Sequence, residues 1–107
     1  MFTVDGKDVT ISRGDTGSLT VKLTGDVPDN NTVALVTLRK DINMIDTVWE
    51  KRINVNDGEV VISLDTEDTD IPWYDYWWDL RLLYQNGDIY TPFPPARFRV
   101  CEVVGNV

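Results

Sequence analysis

Asp75 and Asp79 lie four residues apart on one face of an aromatic stretch, and paired carboxylates are the machinery of glycoside hydrolysis. In an extended chain such positions are ~13 Å apart at their α-carbons, beyond the usual carboxylate separations unless the side chains converge. Solvent-facing charge, set opposite Arg97 or Arg99, is the expected role. A denser acidic group, Asp65, Glu67, Asp68, Asp70 and Asp75, offers the clustered oxygens that hard cations such as calcium take. The run Asp65 to Asp70 lacks the Gly and the distant bidentate Glu of an EF-hand loop, so a solvated loop is expected there. The chain contains no His, which excludes every relay or metal site that needs an imidazole. Its single Cys101 cannot form an internal disulfide or a Cys-rich zinc site, and a spare reduced thiol is the expectation. With no nucleophile beside an identifiable base, the sequence assigns no catalytic residue, no metal ligand and no cofactor, and enzymatic activity is not expected.

The remaining chemistry is that of contact. Trp73, Tyr74, Tyr76, Trp77 and Trp78 make the most aromatic stretch of the chain. Alternation sends Tyr76 and Trp78 to one face and Trp77 to the other, so a large aromatic is expected outside the main core. Trp73, Trp77 and Tyr90 are the candidate interaction residues, because an exposed Trp or Tyr gives large contact area at low entropic cost to a protein interface or a sugar. The alternative, that Trp73 and Trp77 are covered by Pro92 to Pro95, stays open. Arg13-Gly14-Asp15 matches a tripeptide read by integrins, but Gly and Asp between two strands are turn residues first.

The elements that must position these residues are strands. Apolar residues recur at every second position and turn residues interrupt them about every ten, the pattern of an all-β sandwich or barrel. Val9 and Ile11, then Leu19, Val21 and Leu23, mark two half-buried strands, with Phe2 to Val4 as an extra N-terminal partner joined at Asp5-Gly6. Val33 to Lys40 is apolar on both faces, as a central strand is. Trp49 to Val55 and Val60 to Leu64 flank Asn56-Asp57-Gly58, whose Asp-Gly pair suits a tight hairpin. Tyr74 to Tyr84 reads as a long core strand, and Asn86-Gly87 as a two-residue hairpin that sets Tyr84 opposite Ile89 and Leu83 opposite Tyr90. Pro92, Pro94 and Pro95 cannot donate to a ladder, so pairing must break or bulge before Arg97 to Val103 resumes, and these prolines should blunt one edge.

About seven main strands without a disulfide suit an immunoglobulin-like antiparallel sandwich, in which a Tyr near the start of the sixth strand bonds back to the preceding corner. Tyr74 is either that corner residue, with Tyr76 then at the position of the usual Cys, or simply another core aromatic. At 107 residues the chain is expected to form one such domain over 1–107. Its net charge, 10 − 18 = −8, repels phosphate, so neither nucleic acid nor an anionic membrane is an expected partner. The N-terminal residues carry no secretory pattern, and no apolar stretch is long enough to span a bilayer.

Three segments taken together resemble a known family: Ile11-Ser12-Arg13-Gly14-Asp15-Thr16-Gly17-Ser18-Leu19-Thr20-Val21, Trp73-Tyr74-Asp75-Tyr76-Trp77-Trp78-Asp79-Leu80-Arg81-Leu82, and Asn86-Gly87-Asp88-Ile89-Tyr90-Thr91-Pro92 followed by Arg97-Phe98-Arg99-Val100. The layout is similar to the small immunoglobulin-like domains of tail and baseplate modules in bacteriophages and prophages of Gram-positive bacteria, including the N-terminal domain of baseplate upper proteins. The resemblance implies a structural or assembly module working through protein-protein contacts, with other phage structural proteins or further copies of itself as partners. It implies a place in the virion after synthesis in the bacterial cytoplasm, and it carries no catalytic residues to transfer. The alternative function is a carbohydrate-binding module presenting Trp73, Trp77 or Tyr90 to a cell-surface glycan.

Overall fold

The computed structural model describes residues 2–23 and 31–102. The chain is all-β: β1 (Phe2–Asp5), β2 (Asp8–Ser12), β3 (Gly17–Lys22), β4 (Val33–Arg39), β5 (Trp49–Asn54), β6 (Glu59–Leu64), β7 (Tyr74–Leu83), β8 (Ile89–Tyr90) and β9 (Ala96–Cys101), with one short helix, α1 (Thr66–Thr69). The larger sheet has the order β1-β2-β9-β7-β4-β5, and β8 also pairs with β7; the smaller sheet is the pair β3-β6. All contacts between neighbouring strands are antiparallel except β2 with β9, which run parallel. This order, with the N-terminal hairpin laid beside the last strand, is compatible with an immunoglobulin-like sandwich.

The period-two pattern decides which side chains meet between the sheets. From the larger sheet come Ile11, Val36, Leu38, Leu80 and Phe98, and from the smaller one Val21, Val60, Ile62 and Leu64, all buried. Trp49 meets Phe98 edge-on at 6.0 Å between ring centroids, and its indole N–H donates to the Asp68 carbonyl at 3.0 Å. That bond ties β5 to α1, which closes one end of the sandwich: the Thr69 hydroxyl, fully buried, donates to the Asp15 carbonyl at 2.7 Å. The N-terminal β1-β2 pair forms as the alternation predicts, turning at Gly6 with φ 63°.

Three local expectations are corrected. The corner hydrogen bond belongs to Tyr76 and not to Tyr74: the Tyr76 hydroxyl donates to the Pro72 carbonyl at 2.6 Å, while Tyr74 is exposed. Two residues on, the buried Trp78 donates its indole N–H to the Lys7 carbonyl at 2.9 Å. Both Tyr side chains share the inner parity of β7, but Tyr74 opens the strand, where the covering layer has run out. The β7-β8 turn is one residue longer than predicted: Leu83 faces Ile89 and Leu82 faces Tyr90, leaving the loop Gln85-Asn86-Gly87. The Asn86 side chain accepts the Asp88 N–H at 2.9 Å and Gly87 takes φ 94°, the three-residue loop that ends on a left-handed residue. Finally, Asp57 and Gly58 have φ 52° and 75° and close one reciprocal rung, Asn56 with Glu59, at 3.0 Å in both directions. Beyond that rung the strands part, β5 into the larger sheet and β6 into the smaller.

The proline segment produces the bulge that its missing donors require. Between Leu82 and Trp78 lie four steps of β7, but their partners Tyr90 and Ala96 are six apart, so two extra residues are accommodated. Phe93 uses the slack to pack on Trp78 at 5.4 Å between centroids, with the Lys7 ammonium 5.4 Å from its ring. Of the last predicted strand, Val103 lies outside the described residues.

Candidate interaction surface

The outer face of the larger sheet brings together what the linear order separates. β7 pairs with β9 on one side and β4 on the other, so Trp77 stands opposite both Arg97 and Arg39. The Arg97 guanidinium lies 3.9 Å from the centre of the Trp77 indole, a close cation-π stack. Two residues along the same face Arg99 donates to Asp75 at 2.7 Å, the pairing expected for that carboxylate. The Arg99 guanidinium holds the Asp75 carboxyl below its ordinary range, and Asp75 in turn raises Arg99. Both side chains are about half exposed, so solvent and salt screen the pair.

Beside this ladder is an open groove of about 860 Å³, walled by Trp73, Tyr74, Trp77, Lys40, Arg97 and Glu102. Trp73 is 67% exposed and is not covered by the proline segment, which lies over Trp78 instead. Trp77 is half-buried. Lys40 places its ammonium 4.8 Å from the Tyr74 ring. Cys101 lines the same groove as a free, partly exposed thiol on the face of Arg97 and Arg99, as alternation requires. A second hollow of about 30 Å³ joins Trp77 to Ile42, Arg39 and Pro95. The Arg39 Nε is buried with no hydrogen-bond partner among the described residues, a donor that costs about 1–3 kcal/mol when unmatched.

Ile42 begins an apolar loop that the aromatic pattern did not single out. Ile42, Met44 and Val48 are exposed and Ile45 is 91% exposed. Asp41 shapes the tip by accepting the Asn43 N–H at 2.9 Å and, through its carbonyl, the Met44 N–H at 3.1 Å. The signal was present in the sequence as four apolar residues among polar ones between two strands, without strand alternation. Tyr90 is not part of this surface. It is 56% exposed on β8, opposite Leu82, five residues of β7 beyond Trp77 and so ~17 Å away along the strand. The structure therefore groups Trp73 with Trp77 and leaves Tyr90 apart.

The acidic segment is committed elsewhere. Asp68 accepts the Asp65 N–H at 2.8 Å and pairs with Lys51 at 2.9 Å, and Asp70 accepts from Arg13 at 3.0 Å. Arg13 also reaches Glu102 at 3.2 Å, and Gly14 turns with φ 84°, so the Arg-Gly-Asp segment is a turn whose Arg is held in ion pairs. Among the described residues no three acidic or thiol side chains gather as a cation site. No helix among the described residues is long and apolar enough to cross a membrane. No protein-family model matches the chain, and no curated protein or solved structure is significantly similar to it.

Proposed function

We propose that this chain is a non-enzymatic structural or assembly module that works through protein-protein contacts, in the tail or baseplate of a phage or prophage. One observation carries the reading: Trp77 walls one groove with the exposed Trp73 and Tyr74 and shares a second hollow with Ile42, the first of the exposed apolar residues of the loop that continues to Met44 and Ile45. Contiguous exposed apolar surface of this kind, rimmed by charge, is the composition of a protein interface, and Trp, Tyr and Arg are the residue types that dominate binding energy there. The stacking of Arg97 on Trp77 also weighs against the glycan alternative, because it occupies an aromatic face on which a sugar would lie.

The test is incorporation. Trp73→Ala and Ile45→Asp, both at exposed positions, should leave thermal unfolding unchanged and should each abolish co-sedimentation of the chain with assembled tail particles. Incorporation that survives both changes would remove this surface from assembly. Retardation by wall polysaccharide in affinity electrophoresis, lost in Trp73→Ala, would replace the reading with the carbohydrate-binding one.

A further inference from the structure

Asn86 and Gly87 close the β7-β8 loop, and of the seven Asn in the chain Asn86 is the one followed by Gly. An Asn side-chain amide is one ring closure away from the next backbone nitrogen, and a following Gly removes the Cβ that would crowd the approach. Asn43, Asn54 and Asn56 precede Met44, Val55 and Asp57, whose side chains stand in the way. Asn86, Gly87 and Asp88 are all exposed, and a Cβ added to Gly87 would meet nothing within 4 Å, so a ring at this point forms in open space. The Asn86 Oδ1 accepts the Asp88 N–H at 2.9 Å, a bond that spans Gly87 and lays the side-chain carbonyl forward over the peptide whose nitrogen must attack it. The Asn86 Nδ2, the nitrogen that would leave, donates to the Asp88 Oδ2 at 3.2 Å. The Gly87 N–H donates to the Tyr84 carbonyl at 3.0 Å and must be released first. That release takes place at the end of a hairpin whose second strand is two residues long, where local opening costs least.

We propose that Asn86 is a site of spontaneous deamidation, and that its conversion to an acid loosens β8 from β7. The Gly87 nitrogen gives its proton to solvent base and bonds to the side-chain carbonyl carbon of Asn86. The bond from that carbon to Nδ2 breaks, and the nitrogen takes a proton back from solvent and leaves as ammonia. Water then opens the cyclic imide. Cleavage at the side-chain carbonyl gives an ordinary aspartate, and cleavage at the main-chain carbonyl gives an isoaspartate, through whose side chain the backbone now runs. No oxidant or reductant enters. Either product replaces the neutral amide of Asn86 with a carboxylate beside that of Asp88, where a hydrogen bond stood. The isoaspartate also lengthens the backbone by one carbon inside the loop Gln85-Asn86-Gly87. What the loop secures is slight: among the described residues β8 pairs with β7 at Leu83↔Ile89 and Leu82↔Tyr90, and the Tyr84 N–H donates to the Asp88 carbonyl at 2.9 Å. Most of β7 is held by β4 and β9 and keeps its place. The site does not involve the groove around Trp77 and stands independently of the function proposed above.

Asn amides are thermolabile, so the test is to hold the full chain for weeks at ~37 °C, at pH ~8.5 and at pH ~6.5, and to follow it by peptide mapping with mass spectrometry. The amide-to-acid mass gain should appear at Asn86 ahead of Asn43, Asn54 and Asn56, and faster at the higher pH, because the attacking nitrogen must lose its proton. Asn86→Gln, whose longer side chain has to close a larger ring, should stop the gain at this position. The converted protein carries added negative charge and separates from the original by anion exchange. In hydrogen exchange its Tyr84 amide should exchange severalfold faster than in the original, with the amides paired between β4 and β7 and between β7 and β9 unchanged. Asn86→Asp, which supplies the charge without lengthening the backbone, should show the same acceleration to a smaller degree. No mass gain at Asn86, a gain no faster there than at Asn43 or Asn54, a rate indifferent to pH, or a Tyr84 amide as protected after conversion as before would each overturn the proposal.

Discussion

Tyr76 is where one residue joins local geometry to global stability. Its hydroxyl donates at 2.6 Å to the Pro72 carbonyl, pinning the chain as it enters β7, and its ring is buried against the core and beside Tyr74, 5.4 Å between centroids. Tyr76→Phe keeps the ring and removes the bond, so a loss of about 1 kcal/mol is expected in urea unfolding. Burial pushes the phenol above its ordinary value, with Arg13 pulling it partly back and Tyr74 adding to the rise. An acid whose folded-state value is raised stabilises fully below the unfolded value of about 10 and loses that contribution as pH climbs through the folded one. Between pH 9 and 11 the wild type should therefore lose more stability than Tyr76→Phe. Equal losses would show that the Tyr76 proton is not linked to folding. Choosing between Tyr74 and Tyr76 was beyond alternation alone, since parity assigns the face of a strand and not the depth of the layer above it.

At the scale of elements, the strands themselves were legible because each is half-buried and writes its burial as period two. The joints were less so. Asn86-Gly87 signalled a hairpin correctly, yet the loop gained Gln85 because the Asn86 side chain caps the Asp88 N–H, a local bond that competes with the two-residue turn. Asp57-Gly58 took the expected positive φ values, but nothing local tells a hairpin within one sheet from a rung that divides two. The N-terminal hairpin offers a test at this scale. A Cβ on Gly17 would lie 2.8 Å from Phe2 Cδ2, so Gly17→Ala must push the Phe2 ring off the edge of β3. Overpacking of this kind costs about 1–3 kcal/mol where the neighbour cannot move. Phe2 belongs to a four-residue strand that among the described residues pairs only with β2, so β1 is the element that yields. Hydrogen exchange on Gly17→Ala should show faster exchange for the β1 and β2 amides that pair with one another, with β7 and β9 unchanged. Uniform loss across all strands would mean that Gly17 packing is coupled to the whole core.

For the molecule as a whole, an all-β fold without a disulfide could be read from alternation and one Cys, whereas the division into a large and a small sheet could not. That division rests on contacts far apart in sequence, such as β2 beside β9 and β3 beside β6, which local periodicity does not encode. The contact surface was half legible for the same reason: Trp73 and Trp77 share a strand end, but Arg97 reaches Trp77 only through the β7-β9 register, and Ile42 adjoins Trp77 only because β4, which leads into its loop, lies on the other side. Charge acts at this scale too. Eighteen acidic against ten basic residues leave −8 on a small body, and compacting like charges opposes folding. Described ion pairs such as Arg99 with Asp75 and Arg13 with Asp70 work the other way, but their partners are substantially exposed, and exposed pairs contribute only about 0–1 kcal/mol each. Salt weakens both effects, so its sign reports which is larger. With an excess of eight negative charges, repulsion should win: the urea midpoint measured on dilute monomer should rise between ~20 and ~500 mM NaCl, over which the screening length falls several-fold. Sodium sulfate would confound this through surface exclusion, so chloride is the salt to use. A midpoint that falls with chloride would mean that the arginine pairs on the outer sheet face and around Arg13 outweigh the net charge in holding the sandwich closed.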